Sequence, residues 1–231
     1  MNKTQNQKQQ PSSLKMVWSY LLPILFGILC VVLVKFFLVQ PVTVSGPSMY
    51  PNLENGQKVL AFKPAKIKRG SVIVFDANGV DPSVSQKKLY VKRVIGLPGD
   101  TVSFKNNKVY VNGKEIDQRY LSDEQKEGTR SQRQDAYSGK VTTYRKWDLN
   151  SLYSTAMKDK EWLNAPEDNK VPQGMYFVLG DNRPVSNDSR NIGFVGKSKI
   201  LGVVKAPYWP LGNSNNAKRA YINKQWKYED N

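Results

Sequence analysis

The sequence contains no histidine and a single cysteine, Cys30, among 231 residues. Without imidazole there can be no Ser-His-Asp triad, no Cys-His dyad and no histidine-ligated zinc. The one thiol lies inside an apolar run, which excludes a disulfide framework and a cysteine-built metal site. No metal or cofactor is therefore expected. Acidic residues are also scarce: 19 Asp plus Glu stand against 35 Lys plus Arg, a net charge of +16. A hydrolase of this composition must draw its base from Lys, Asp, Glu or Tyr.

The positive excess has no focus. It is scattered in ones and twos, as at Lys87-Lys88, Lys92-Arg93 and Lys218-Arg219. Neither a basic stripe interleaved with aromatics nor a nucleic-acid reading module is present, so nucleic acid is not an expected partner. The pattern reads as a basic surface that tolerates anionic lipid or an anionic cell wall.

Long apolar runs occur once. Residues 16–34 carry no charge, and after Lys35 the run continues as Phe36-Phe37-Leu38-Val39. The stretch 16–39 is enough to span a bilayer as one helix, which needs about 20 residues, with Lys35 able to reach the interface. A cleaved secretory signal would have an apolar region of only about 7–15 residues followed by small ones. Phe36, Phe37 and Leu38 stand where those small residues are wanted, so the run reads as an uncleaved anchor. Lys3, Lys8 and Lys15 precede it, and beyond Lys35 no basic residue appears until Lys58. The positive-inside rule then expects a single-pass protein of the cell membrane, with the amino terminus cytoplasmic and residues 40–231 outside.

The rest reads as antiparallel β. Apolar runs at 58–62, 71–75, 90–95, 101–104, 108–111, 175–179 and 200–204 are bounded by Gly, Pro and Asn. Asn106-Asn107 and Asn112-Gly113 read as tight turns between them. No helical periodicity stands out beyond the anchor, which argues against parallel βαβ units. Residues 118–170 are polar, with scattered Tyr144, Trp147, Leu149, Leu152 and Trp162, and read as a loop-rich insertion with a short helix near 151–163. The first 15 residues and roughly the last 15 are polar tails.

Three segments carry chemistry. In Ser45-Gly46-Pro47-Ser48-Met49-Tyr50-Pro51, a serine lies between two prolines on restricted backbone. In Tyr90-Val91-Lys92-Arg93-Val94-Ile95, alternation puts Lys92 on one face with Tyr90 and Val94, an apolar setting that disfavours an ammonium. A neutral amine can take a proton from a serine hydroxyl. In Gly180-Asp181-Asn182-Arg183-Pro184-Val185-Ser186-Asn187-Asp188-Ser189-Arg190, acids and arginines crowd a loop that can order itself through Arg–carboxylate pairs. Taken singly, each segment has a plainer reading: a turn, an exposed lysine, a self-satisfied surface loop.

Together the three resemble the signature regions of the type I signal peptidases, membrane-bound Ser-Lys endopeptidases that remove signal peptides from exported preproteins. The likeness extends to Arg69-Gly70-Ser71-Val72-Ile73-Val74-Phe75 and to Lys205-Ala206-Pro207-Tyr208-Trp209-Pro210. A single span and a short insertion look like the Gram-positive branch. The resemblance implies Ser48 as nucleophile, Lys92 as general base and Ser186 as the serine that hydrogen-bonds the base. It implies Asp188 and Arg190 as shaping partners and an ion pair between Arg93 and Asp181. Ser48 and Gly46 are implied around the oxyanion, although Gly46 lacks the hydroxyl that the Gram-negative branch carries there. Ser71 also departs from the family, where an acid is common, and Pro47 is a familiar Gram-positive variant.

The implied fold is mainly β: an antiparallel β catalytic core (40–100 and 176–210), a smaller inserted cap (101–175), one N-terminal transmembrane helix (16–39) and tails at 1–15 and 211–231. The implied partners are secretory preproteins cut after an Ala-x-Ala-like end, and membrane lipid, which Met49 and Tyr50 are placed to touch. The alternative is a non-catalytic membrane-anchored assembly factor or chaperone on the same scaffold, which has no chemical need for both Ser48 and Lys92. A self-cleaving DNA-binding repressor lacks its DNA-binding domain here.

Overall fold

The computed structural model describes residues 13–134, 141–159 and 162–209. The tail assigned to 211–231 and most of that assigned to 1–15 lie outside these residues. The chain divides into residues 1–39 and residues 40–231. The first unit is a 25-residue helix, α1 (Ser13–Phe37), with Pro23 inside it and Lys35 in its last turn. Val17–Phe37 has a mean hydropathy of 2.5 and none of it is buried within the protein, so by length and composition it can cross a membrane. The helix stops two residues short of the expected boundary, because Pro41 cannot continue it and drives the preceding residue to extended backbone. Val39 already belongs to a strand.

The second unit opens with β1 (Val39–Thr43), β2 (Lys58–Phe62), β3 (Val72–Asp76) and β4 (Leu89–Gly96). A smaller group follows: β5 (Val102–Lys105), β6 (Lys108–Val111) and β7 (Lys114–Glu115). Asn106, Asn107 and Asn112 adopt left-handed backbone, as does Gly113, which is what the two tight turns between these strands require. Then come α2 (Asp123–Glu127), β8 (Ser131–Gln134), β9 (Val141–Tyr144), β10 (Trp147–Asp148) and α3 (Leu149–Asp159). The chain returns through β11 (Met175–Leu179), α4 (Ser189–Ile192), β12 (Val195–Gly196) and β13 (Ile200–Trp209).

Seven strands form one sheet in the order β1-β2-β13-β3-β4-β11-β12, and four form another, β10-β5-β6-β7. Every pairing with a described register is antiparallel. The described residues between 118 and 170 hold more regular structure than their composition suggests. Ser122 and Gln125 close a capping box at the start of α2, β8 and β9 form a hairpin, and Trp147 stacks on Phe104 with centroids 5.7 Å apart. Sparse apolar residues hide such elements, because each is held by caps and one or two buried rings instead of a periodic face.

Three apolar clusters fill the unit. Phe104, Trp147, Phe177 and Phe194 centre one; Val42, Met49, Leu53 and Val74 another; Ile73, Phe75, Val94 and Val178 the third. β3 is buried on both faces because it lies inside the seven-stranded sheet with clusters above and below. We expect Phe177→Ala, which empties a fully buried site between Trp147 and Phe194, to lower stability by about 3–5 kcal/mol in denaturant titration of the detergent-solubilised chain.

Candidate active site

Lys92 lies mid-way along β4, and Ser48 lies in the turn that follows β1. Lys92 Nζ donates to Ser48 Oγ at 2.8 Å. The lysine is 4% exposed and its Nζ stands 5.3 Å from the centre of the Tyr90 ring. Burial pushes the amine down from its ordinary value to about 8, with the Asp188 carboxylate opposing the shift and the Arg190 guanidinium adding to it. The Tyr90 hydroxyl donates to buried Asp81 at 2.8 Å, and burial followed by that contact pushes it up to about 12. Tyr90 is thus a neutral wall beside the amine.

The Ser48 turn is anchored from several directions. Met49 and Leu53 are fully buried in the cluster with Val74, so Met49 is not available to lipid as the sequence suggested. Tyr50 remains 53% exposed. The Asn182 backbone N–H donates to the Ser48 carbonyl at 3.0 Å, and its side-chain amide donates to the Pro47 carbonyl at 3.1 Å. Among the described residues the Ser48 N–H has no acceptor. Gly46 adopts left-handed backbone at φ 85°, but its N–H is taken by Asn55 Oδ1 at 2.9 Å. Gly46 therefore offers no backbone donor to an oxyanion, which corrects its expected place there.

The loop after β11 supplies the frame. Asp181 receives Arg93 through two bonds of 2.8 and 2.7 Å, with neither side chain exposed, and also accepts Asn52 Nδ2 at 2.8 Å. Burial works most strongly against the guanidinium, but the Asp181 charge and hydrogen bonds, with Tyr120 beside them, together outweigh it and hold Arg93 above its ordinary value. Asp188 accepts the Gly180 N–H and both Nε and Nη2 of Arg190. Burial favours the protonated acid there, yet the Arg190 charge and these bonds keep the carboxyl below its usual range. Arg190 continues to the carbonyls of Gly128, Arg130 and Arg183.

Ser186 is also buried beside this centre. A Cβ built on Gly180 would lie 2.1 Å from Ser186 Oγ and 2.5 Å from the Ser48 carbonyl, so only glycine fits between them. The resemblance implied a hydrogen bond from Ser186 to the base. Instead, Ser186 Oγ has no partner among the described residues, because Nζ is directed at Ser48 while the turn presses Ser186 against Gly180.

Three contributors escaped the sequence reading. Asn182 was hidden by its neighbours, though Gly-Asp-Asn-Arg after a strand is a signal for a backbone clamp. Arg183 is fully buried and bonds Gly180 O, Gln118 Oε1, Thr129 Oγ1 and Tyr120 Oη, an unusual fate for an arginine. Asp81 Oδ2 accepts both the Tyr90 hydroxyl and the Asn187 side-chain amide.

Residues 17–209 match the family described as signal peptidase, peptidase S26. The chain belongs to this family. It is 36% identical over 201 residues to signal peptidase IB of Staphylococcus aureus (strain COL), covering 85% of this chain and 92% of that one. It is 34% identical over 193 residues to signal peptidase I of Bacillus licheniformis, covering 81% and 86%. A solved signal peptidase I from Enterococcus faecalis is 31% identical and superposes with a TM-score of 0.41 over 60% of this chain and 97% of that one. As a family member the chain is a serine endopeptidase of the signal peptidase I type, and its apolar N-terminal helix marks it as a membrane-anchored enzyme.

Two outcomes follow for this peptidase. Asp181→Ala leaves the Arg93 guanidinium buried without its carboxylate and is expected to lower stability by about 3–5 kcal/mol in denaturant titration. Lys92→Met should do the reverse. With a native value of about 8 against an unfolded value of about 10.4, the unfolded chain holds the proton more tightly. Wild-type stability therefore rises as pH climbs from about 8 towards 10, and below that window the native state bears the whole cost of a buried ammonium. Lys92→Met removes this cost, about 3 kcal/mol, so its melting temperature at pH 7 should exceed wild type and the gap should close in alkali.

Proposed function

We propose that this chain removes N-terminal signal peptides from exported preproteins, with Ser48 as nucleophile and Lys92 as general base. The observation that carries the reading is the 2.8 Å contact between Lys92 Nζ and Ser48 Oγ in a protein without histidine. Neutral Lys92 takes the hydroxyl proton as Ser48 Oγ attacks the scissile carbonyl. The resulting ammonium gives that proton to the departing amine, leaving an acyl-enzyme. Lys92 then deprotonates a water that attacks the ester, and Ser48 recovers its proton on release. The Ser48 N–H is the donor for the oxyanion.

The supporting roles follow the contacts. Arg93 and Asp181 fix β4 against the loop, Asp188 and Arg190 hold the loop's shape, and Ser186 packs beside the nucleophile. Specificity is for Ala-x-Ala-like ends. β11 pairs with β4 only from Arg93 onward, so Leu89–Val91 offer an open edge on which an extended signal end can lie. Strands from 40–100 and 176–210 make the catalytic core and 101–175 the cap. The enzyme is anchored in the cell membrane by one span, with its amino terminus cytoplasmic and the catalytic unit outside. Its partners are preproteins and membrane lipid, without nucleic acid, metal or cofactor.

Cleavage of a secretory precursor by detergent-solubilised protein tests this. The rate should rise with pH and reach half its plateau near about pH 8, as the amine loses its proton. Ser48→Ala and Lys92→Arg should lower the rate by at least about a thousandfold, the second because guanidinium stays charged. Retained turnover in either variant overturns the assignment.

A further inference from the structure

Asp81 is a buried carboxylate that the mechanism does not use. It lies between β3 and β4 and is 2% exposed, yet among the described residues no lysine or arginine bonds it. A charge taken out of water is costly, and buried carboxylates are ordinarily paired with a cation. Asp81 has neutral donors instead. Oδ1 accepts the Ser83 N–H at 2.9 Å and the Ser83 hydroxyl at 2.6 Å. Oδ2 accepts the Tyr90 hydroxyl and Asn187 Nδ2, both at 2.8 Å. The carboxylate is itself well seated: the Asp81 N–H donates to the Ala77 carbonyl, and Ala77 and Val80 belong to the apolar cluster of Ile73 and Val94.

Both residues on Oδ2 border the Ser48–Lys92 contact. Tyr90 shares a face of β4 with Lys92, and its ring centre is 5.3 Å from Nζ. The ring is only half-buried, so its rotamers on a strand include ones directed at solvent. Phe75 meets it edge-on with centroids 5.9 Å apart. The bond to Asp81 selects the rotamer that covers the amine. Asn187 is exposed but stands between buried Ser186 and buried Asp188, and its bond to Asp81 spans 106 residues of sequence. One carboxylate oxygen thus joins the ring beside the amine to the loop beside Ser48.

We propose that Asp81 is a positioning residue for the base: it locks the Tyr90 ring, and with it the Asn187 loop, over Lys92 so that water is kept from the amine. The proposal rests on the Ser48–Lys92 reading above. Burial has the largest influence on that amine, so a ring free to swing away lets its value climb back towards the ordinary one. The charges that face Lys92 are Asp188 and Arg190 at the start of α4 and Asp181 in the loop after β11. Exposed Lys88 stands 5.7 Å from the same Tyr90 ring. β3 sets apolar Ile73 opposite Lys92, and the Ser48 turn brings a hydroxyl. Tyr90→Phe keeps the ring and leaves every one of these charges in place while removing the bond to Asp81. Asp81→Asn keeps the shape but leaves one acceptor oxygen where four donors need two.

The test is the pH profile of kcat/KM for a secretory precursor, measured on the full chain in detergent. Wild type should reach half its plateau near about pH 8. In Asp81→Asn and in Tyr90→Phe that midpoint should rise by about one unit, so the loss at pH 8 exceeds the loss at the plateau about fivefold. Combining the two substitutions should move it no further than Asp81→Asn alone, since both break one bond. An unmoved midpoint, with the same loss at every pH, marks a merely structural role and overturns the proposal while the Ser48–Lys92 reading stands. If Asp81→Asn does not fold, Tyr90→Phe decides. A wild type with no titration near pH 8, together with turnover by Lys92→Arg, defeats the Ser48–Lys92 reading and this proposal with it.

Discussion

A guanidinium and a carboxylate, both closed off from solvent, join the strand that carries Lys92 to the loop that surrounds Ser48. Arg93 and Asp181 cannot be separated cheaply, since either one alone would be an uncompensated charge in the interior. Their neighbours inherit this rigidity. Lys92 adjoins Arg93 on β4 and projects to the opposite face, where it meets Ser48. Asn182 adjoins Asp181 and holds the carbonyls of Pro47 and Ser48. One ion pair thus sets the relative position of Lys92 and Ser48 through two adjacent residue pairs. Asn52 and the face of Tyr120, 4.3 Å from the Arg93 guanidinium carbon, close the remaining sides.

The same design keeps a carboxylate away from direct contact with the amine. Asp188 lies near enough to oppose the fall in the Lys92 value, but its oxygens are engaged by Arg190 and the Gly180 N–H. A carboxylate bonded straight to Nζ would favour the ammonium over the neutral amine. Burial is therefore left as the dominant influence on Lys92, and the neutral amine is obtained at the expense of native-state stability.

Legibility in the sequence followed the strength of the local signal. Asn106-Asn107 and Asn112-Gly113 announce their turns because left-handed backbone narrows the choice of residues. Five strands of the large sheet announce themselves by apolar runs, whereas β1, which abuts the anchor, and the two-residue β12 do not. By contrast α2, the β8–β9 hairpin and β10 are polar and short, held by Ser122, Gln125 and the rings around Trp147. No window of sequence shows those tertiary partners. The Ser48–Lys92 contact was readable only through three segments taken together. The bond taken up by Gly46 was not, since its acceptor is the side chain of Asn55 across a turn. Nor was the unpartnered hydroxyl of Ser186, which depends on a close approach at Gly180. Arg183 misled for the opposite reason: it reads as a surface residue and lies wholly inside.

Ser48 and Lys92 are 44 residues apart in sequence, and the Asn182 side chain that holds the serine's turn comes 135 residues after Pro47. Contacts of that span form only when the β unit is nearly complete. A nascent or truncated chain thus has a serine and a fully solvated, protonated lysine, which together are inert. The Ser48–Lys92 contact is thus a product of the fold, and the turn that carries Ser48 is held only once the segment after β11 has been added.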